Sequence, residues 1–99
     1  MAKENALADK AYDYLLDLLS STTDKAQLSE ILEALMTEKE QQEIVNRLRI
    51  FALLHQGVTQ REISAQLGVG IATVSRGAKV FGQHNMDELL PNIDDEIKE

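Results

Sequence analysis

The chain of 99 residues contains no cysteine and no tryptophan, and it has one proline, two phenylalanines and two tyrosines. Without cysteine it can form no disulfide bond, no thiolate nucleophile and no cysteine-ligated zinc site. Its two histidines, His55 and His84, do not follow a metal-ligand spacing, and neither has a recognisable nucleophile or general-base partner. We therefore expect no catalytic residue, no metal site and no cofactor, and an enzyme is the least favoured class of protein.

Long apolar runs are also absent. None approaches the roughly 18 residues of a membrane span, and residues 1–10 lack the apolar core of a signal peptide. The hydrophobic fraction of 43% and the charged fraction of 27% are typical of a soluble globular protein. We expect one domain over residues 1–99 of a cytoplasmic protein with no membrane partner. Because so small a domain buries only roughly 60–65% of its unfolded surface, dimerisation would enlarge its core.

The net charge of −7 hides a segregation of sign along the chain. Residues 1–43 hold ten acids and four lysines, residues 44–82 hold five cations and Glu62, and residues 83–99 hold six acids and Lys98. Charges act locally, over a Debye length of roughly 8–10 Å. The basic middle can therefore meet phosphate while the acidic ends face away. The alternative is that both signs form ordinary solvated surface.

Every segment has a helical pattern, which predicts an all-α fold of five to six short helices. Apolar residues at helical spacing predict the first helix over about residues 4–20, and Asp24 can cap the second. Capping boxes begin a short third helix at Thr37 and a later one at Thr59. Further helices are predicted over Ile44–Leu54, from the capping box at Thr59 up to Leu67, and over Ile71–Phe81, where Gly82 ends the helix. A last helix begins after Asn85, and Pro91 kinks or breaks it. The tail from Asp94 is predicted to be frayed.

Residues 44–54 are apolar over nearly the whole circumference of their helix. A helix that is apolar all round must be buried all round. So short a chain has few other helices to enclose it, whereas a second subunit could do so. We therefore expect an interlaced homodimer whose dimerisation helices lie within about residues 4–56.

Residues 59–81 have the layout of a helix-turn-helix. Gly68 stands at the tight turn, which favours a positive φ, and Ser64 is small where the helices cross. The residues predicted to pack the two helices together are Ile63, Leu67, Val69 and Val74. The exposed side offers short polar groups and cations to base edges and phosphates. The candidate DNA-binding residues are Gln60, Arg61, Ile71, Ala72, Thr73, Ser75 and Lys79. The alternative is a helical hairpin packed for stability alone.

Two strings of this region resemble the reading head of the tryptophan repressor family: Thr59–Ile63, and Gly70–Gly77 with the sequence Gly-Ile-Ala-Thr-Val-Ser-Arg-Gly. Leu35–Thr37 and Arg47–Ile50 match the central region of that family, so the resemblance covers about residues 30–82. It implies an all-helical, interlaced homodimer. Such a dimer binds double-stranded operator DNA when L-tryptophan, as corepressor, occupies a pocket under each reading head.

The resemblance also implies the residues of the ligand site. On matching positions, Arg47 and Arg76 would flank the indole ring, and Arg76 would also meet the carboxylate. Thr37 and the backbone of residues 34–36 would line the pocket from the other subunit. Thr73 and Gly77 would close its other side. The alternative for the two arginines is a surface ion pair or a phosphate contact.

The chain departs from the family pattern at three places. The turn Gly57–Gln60 is one residue shorter than in the best-known tryptophan repressors. It is similar to the turn of a repressor-like sister branch whose ligand is unassigned. That branch, however, tends to lose the pair kept here as Arg76–Gly77. Ser64 replaces a lysine that often faces DNA, and Val80 replaces a pocket serine. We expect weaker phosphate contact and an altered surrounding of the ligand's amino group.

Three functions therefore stand in order. The first is a repressor that L-tryptophan activates and that controls tryptophan-related genes. The second is a DNA-binding regulator of the same fold with no ligand or a different one. The third is a helical adaptor that holds a protein partner through residues 44–54.

Overall fold

The structure is a computed structural model that describes residues 9–97. Within that range the chain forms α-helices and no strand, which confirms the all-α prediction. Five helices have eight residues or more, and two four-residue helices follow them. The helices are α1 (Lys10–Ser21), α2 (Lys25–Leu35), α3 (Glu38–His55), α4 (Gln60–Leu67), α5 (Ile71–Gln83), α6 (Met86–Leu89) and α7 (Ile93–Glu96). Predictions for residues 4–8, 98 and 99 fall outside the described range. No helix in that range is both long and apolar enough to traverse a bilayer.

The predicted caps at the starts of α2 and α3 are confirmed. The Asp24 carboxylate accepts from the backbone N–H of Ala26 at 3.2 Å. Thr37 and Glu40 form a reciprocal capping box, with Glu40 N to Thr37 Oγ1 at 3.1 Å and Thr37 N to Glu40 Oε1 at 2.9 Å. The prediction of a short third helix is wrong, because α3 continues to His55 as one helix of 18 residues. No glycine or proline interrupts it.

The described residues divide into two compact units, one up to Gln41 and one from Gln42. The first unit contains α1 and α2, and none of the residues of these two helices is buried. Several large apolar side chains on them are instead exposed: Tyr14, Leu16, Leu32 and Leu35. The amphipathic pattern that predicts these helices therefore leaves apolar surface uncovered in the single chain.

The C-terminal half of α3 is the centre of the second unit, since the consecutive residues Ile50–Leu53 are all buried. One side of it packs with α4 and α5, and the other side packs with α6, α7 and the end of α5. The first cluster contains Ile50, Leu53, Ile63 and Val74, and the second contains Phe51, Ala52, Met86 and Ile93.

This burial corrects the prediction that a second subunit must enclose all of residues 44–54. Helices of the same chain cover Ile50–Leu53, because each helix from α4 to α7 contributes apolar side chains to one of the two clusters. At the other end of the segment, Ile44 and Val45 are 47% and 39% exposed. The demand for a partner therefore applies to that end alone.

The end of the chain differs from the prediction in two ways. Gly82 does not stop α5, which continues to Gln83, because a glycine in ordinary helical geometry is tolerated there at a cost of about 1 kcal/mol. Residues 94–97 are not a frayed tail, since α7 is held by Ile93, which is buried in the second cluster. The predicted cap at Asn85 and the helix break at Pro91 are both confirmed.

Candidate nucleic-acid interface

The segment from Thr59 to Gln83 forms two helices joined by a tight turn. The hydroxyl of Thr59 accepts from Glu62 N at 3.2 Å, and the Glu62 carboxylate accepts from Thr59 N at 3.3 Å, so the predicted capping box begins α4. Gly68 ends α4 with a φ of 68°, a left-handed conformation that glycine adopts without strain. The predicted bounds of α4 and the predicted start of α5 at Ile71 are confirmed.

The packing of α4 on α5 is fixed by fully buried side chains. Ile63 of α4 and Val74 of α5 each have 0% exposure and share a cluster with Ile50 of α3. Leu67 and Val69 are half-buried against the same cluster, so all four predicted packing residues are confirmed. Because α3 supports both helices, the angle between α4 and α5 is set by the core rather than by the turn alone.

Ser64 also holds the turn. Its hydroxyl donates to the backbone carbonyl of Val69 at 2.6 Å, which provides a partner for a carbonyl that lies between the two helices. The sequence indicates only that a small residue fits where the helices cross. The hydrogen bond shows in addition that this side chain is directed to the turn. A lysine at this position would instead extend a cation into solvent.

Most candidate DNA-binding residues lie on the surface of α4 and α5. Thr73 is half-buried, and the other six are exposed: Gln60, Arg61, Ile71, Ala72, Ser75 and Lys79. Ile71, at the start of α5, is 51% exposed. The structure also joins two of them directly, since the Ser75 hydroxyl donates to Oε1 of Gln60 at 2.8 Å. The sequence gives no sign of this pairing across 15 positions.

The two arginines of the candidate ligand site lie in the second unit, and both are exposed. Arg47 lies on α3 before the buried segment Ile50–Leu53 and is exposed, so its apolar neighbours in sequence do not force it into a dry environment. Arg76 lies on α5, and its Nη2 donates to Oγ1 of Thr73 at 3.5 Å. Thr37 lies in the first unit, where its hydroxyl serves the α3 capping box.

Gly77 of α5 lies against Ile50 of α3. It is buried, and a Cβ atom built on it would lie 3.0 Å from Cγ2 of Ile50, whose side chain is 1% exposed. Any larger residue would press into the core that supports α4 and α5. The resemblance implies a ligand role for Gly77, and the structure adds a packing role.

His55 forms a cluster that the sequence analysis missed. Its Nδ1 lies 2.8 Å from Oδ2 of Asp94, and its Nε2 lies 2.8 Å from Oδ1 of Asp87. The hydrogen bonds to Asp94 and then to Asp87 raise the pKa of His55 above its ordinary value, because both carboxylates stabilise the imidazolium. The sequence analysis finds no recognisable general-base partner for His55, and it does not predict these two carboxylate contacts. These partners follow it by 39 and 32 positions, a separation at which no local pattern indicates contact.

The His55 cluster is structural rather than catalytic in its geometry. Both ring nitrogens are engaged by carboxylates, so neither is free to take a proton from a nucleophile. Among residues 9–97, no group of three or more histidine, cysteine, aspartate or glutamate side chains is arranged to hold a metal ion. A shallow depression beside His55 is lined by Phe81, His84, Asn85, Met86 and Asp87.

Comparison with known proteins identifies the family. The family model described as Trp repressor protein matches residues 10–90. The chain belongs to the Trp repressor family. The Trp operon repressor homolog of Xylella fastidiosa (strain M23) is 31% identical over 83 residues, which are 83% of this chain and 90% of that protein. The Trp operon repressor homolog of Vibrio cholerae is 38% identical over 78 residues, 78% of this chain and 76% of that protein. No solved structure matches the chain.

Membership confirms the resemblance carried by the reading-head strings and the central region. The family is regulatory and non-enzymatic, which agrees with the expectation that the chain is not an enzyme. The chain is therefore a DNA-binding repressor of transcription whose partner is operator DNA. In this Trp repressor-family chain, the exposed polar and cationic surface of α4 and α5 is the natural candidate for the contact with DNA.

Proposed function

We propose that this Trp repressor-family protein is a cytoplasmic homodimer that binds operator DNA when L-tryptophan is bound as corepressor, and that it controls tryptophan-related genes. The observation that carries the proposal is the exposed face of α4 and α5, held at a fixed angle by Ile63 and Val74. The names of the relatives as Trp operon repressor homologs support the choice of ligand and of genes.

In this proposal α5 enters the major groove. Ala72 and Ile71, at the start of the helix, are small or apolar enough to meet thymine methyl groups. Ser75 and Lys79 follow on the same exposed surface, and Arg61 lies at the start of α4, where it can reach a guanine edge or a phosphate. The segment from residue 44 to residue 82 holds five cations against the single acid Glu62, so the field around this surface attracts DNA despite the net charge of −7.

L-tryptophan would bind under this reading head through Arg47 and Arg76. Two guanidinium groups on either side of an indole ring contribute cation–π attraction, about 0.5–2 kcal/mol for each contact. Arg76 would add a charge-assisted hydrogen bond to the ligand carboxylate. The contact of Arg76 with Thr73 supports this role, because it keeps the guanidinium near the turn of α5 that carries Gly77. Thr37 and residues 34–36 of the second subunit would complete the pocket.

The uncovered apolar side chains support the homodimer. Helices α1 and α2 bury none of their residues in the single chain, and Tyr14 and Leu35 are 67% and 59% exposed. Ile44 and Val45 add further exposed apolar surface at the start of the long helix. Large apolar side chains left exposed on a helix favour a protein interface, and a second copy of the chain is the partner that family membership favours.

The test uses the absence of tryptophan from the chain, because the protein then adds no tryptophan emission to that of bound L-tryptophan. Titration of the free amino acid should give saturable binding, one ligand for each subunit. Duplexes should then be selected from a random pool with and without L-tryptophan. We expect particular duplexes to be enriched only when L-tryptophan is present. L-phenylalanine should not substitute for L-tryptophan. Duplex binding that is equally tight without L-tryptophan would contradict the corepressor role.

A second candidate is a regulator of the same fold with no ligand or a different one. It is favoured by Val80, which stands in place of a pocket serine and packs half-buried against the second cluster, and by the short turn before α4. In this case the selected duplexes would be the same with and without L-tryptophan. The helical adaptor is less favoured, because Ile50–Leu53, which are half of the apolar residues that it would offer to a partner, are buried within the chain.

A further inference from the structure

Two polar side chains on the exposed surface of α4 and α5 are held together. The hydroxyl of Ser75 donates to Oε1 of Gln60 at 2.8 Å, although both residues are exposed. Each lies next to the core that joins the helices. Ile63 follows Gln60 by three positions and Val74 immediately precedes Ser75, and both of these apolar side chains are fully buried. The backbones beneath the hydrogen bond are therefore fixed, and the bond needs no rearrangement of the helices.

The direction of this bond decides what Gln60 can offer. A carboxamide has a carbonyl oxygen that accepts and an NH₂ group that donates twice, whereas the serine hydroxyl has a single proton to donate. With Oε1 turned to Ser75, the NH₂ group is turned away from it. A bidentate contact with adenine requires the oxygen and the NH₂ group of the amide side by side on the base. The NH₂ group that remains is suited to an acceptor atom of DNA.

We propose that Ser75 is a positioning residue, which acts on DNA through Gln60 by directing the Gln60 NH₂ group to a hydrogen-bond acceptor of the duplex. The proposal rests on the proposed binding of DNA by α4 and α5. It differs from a direct contact of Ser75 with DNA, because it makes the effect of Ser75 depend on the presence of Gln60. The acceptor is a phosphate oxygen or the O6 or N7 atom of a guanine, and the two sources are separated by experiment.

The test is a double-mutant cycle on the duplex selected with the wild-type protein. Ser75→Ala and Gln60→Ala should each weaken binding by about three- to tenfold, the range for loss of one hydrogen bond. The double variant should bind no more weakly than Gln60→Ala alone. Ser75→Thr, which keeps the hydroxyl, should restore the affinity. Losses that multiply in the double variant, a Ser75→Ala protein that binds as the wild type does, or a threonine variant that restores nothing would each overturn the proposal.

Single-base variants of the duplex identify the acceptor. A loss that is equal on all duplexes assigns a phosphate oxygen, and a loss confined to one guanine position assigns the edge of that base. Either result supports a donor role for Gln60. A loss confined to a base other than guanine would overturn the proposal.

Two measurements separate positioning from a general structural effect. The slope of affinity against salt concentration should not change in Ser75→Ala, because a neutral amide releases no counterion, whereas a displaced α5 would also lose the contact of Lys79. Ser29→Ala is the matched control, since Ser29 is exposed on α2 outside the interface. It should leave DNA affinity unchanged. If the wild-type protein enriches no duplex at all, the proposed function fails and this proposal fails with it. Enrichment with multiplying losses overturns this proposal alone.

Discussion

At the scale of single residues, the same amino acid has different physical roles within one helix. Gly77 and Gly82 both lie in α5 in ordinary helical geometry. A Cβ atom at Gly77 would lie 3.0 Å from Ile50, and a Cβ atom at Gly82 would meet nothing within 4 Å. Gly77 therefore determines how closely α5 approaches α3, whereas Gly82 only weakens the helix that contains it.

This difference predicts opposite effects of one substitution. Gly82→Ala should stabilise the fold by about 0.5–1 kcal/mol, because alanine loses less backbone entropy in a helix. Gly77→Ala gains the same term, but overpacking against the buried and β-branched Ile50 costs about 1–3 kcal/mol. We expect a net loss of about 1 kcal/mol in urea unfolding. Equal stabilisation by both substitutions would show that α3 yields to the added methyl group.

Single residues should also determine the affinity and the sequence preference of DNA binding. Arg61→Ala should weaken specific binding about tenfold or more, since one good base contact contributes roughly 1–3 kcal/mol of discrimination. Ala72→Leu should alter the preferred sequence, because a larger side chain at the start of α5 changes the fit in the groove. Both residues are exposed, so thermal unfolding should not change. Lys25→Ala, which removes an exposed cation of α2, is the control. Unaltered DNA binding by both interface variants would mean that α5 is not the helix that recognises DNA.

At the scale of elements, the short helices at the end of the chain depend on contacts with α3. Neither α6 nor α7 exceeds four residues, a length at which an isolated helix does not form in water. They are held by Met86 and Ile93 in the core and by the two carboxylates that meet His55. His55 is thus a clamp between the C-terminus of α3 and two elements that follow much later in the chain.

The clamp predicts a dependence of stability on pH. Because the pKa of His55 is raised from 6.5, chiefly by the hydrogen bond to Asp94, the clamp contributes fully below that value. Its contribution is lost as the pH rises through the higher pKa of the folded state. Unfolding in urea at a series of pH values, from about 6 to about 9, should therefore show a decline on the alkaline side.

Two variants isolate the origin of that decline. His55→Gln should remove it, since the glutamine does not titrate, and His84→Gln should retain it. Amide exchange of Ile93 should become faster in the wild type as α7 loosens, beyond the ordinary increase of exchange with pH. A decline that persists in His55→Gln would assign the effect to another group.

At the scale of the whole molecule, the distribution of burial is uneven. Among residues 9–97, the eight buried apolar residues all lie in the segment from Ile50 to Ile93, and α1 and α2 contribute none. Two helices without a buried residue gain little stability from the hydrophobic effect in the single chain. Stable folding of that part therefore requires further burial, which is the physical basis for proposing a second subunit.

Light scattering should give twice the mass of the 11.1 kDa chain at micromolar concentration. Leu35→Lys should shift the protein toward the monomer and destabilise it, because Leu35 belongs to the uncovered surface of α2. Leu89→Lys is the matched control, since the two leucines are 59% and 58% exposed but Leu89 lies on α6, beside a completed core. A stable, well-folded monomer of the wild type would contradict the homodimer.

The corepressor proposal makes a prediction about coupling between two sites. Arg76→Ala should abolish the response of DNA binding to L-tryptophan and leave weak, salt-sensitive binding intact. In the wild type, the duplex should raise the affinity for L-tryptophan by a certain factor. L-tryptophan should raise the affinity for the duplex by the same factor, because linkage is reciprocal. Calorimetric titration of L-tryptophan with and without duplex measures this factor. A factor of one, with L-tryptophan bound equally tightly with and without duplex, would contradict the corepressor proposal.

The helices around the interface were predictable because their determinants are local. The capping box from Thr59 to Glu62 and the left-handed Gly68 act over a few residues, so the bounds of α4 follow from the sequence alone. The packing positions Ile63 and Val74 follow from helical periodicity. The strings around Arg76 likewise indicate the family, since they are continuous in sequence.

Only the tertiary structure decided which surfaces are covered and which polar groups meet. From the sequence alone, the segment Ile50–Leu53 is interpreted as a surface for a second chain. In the structure, helices that are distant in sequence bury it within the same chain. The pairing of Ser75 with Gln60 and of His55 with two aspartates joins positions 15 to 39 residues apart. A sequence pattern reports local conformation and the demand for burial. Which partner meets that demand depends on packing between elements, which no local pattern contains.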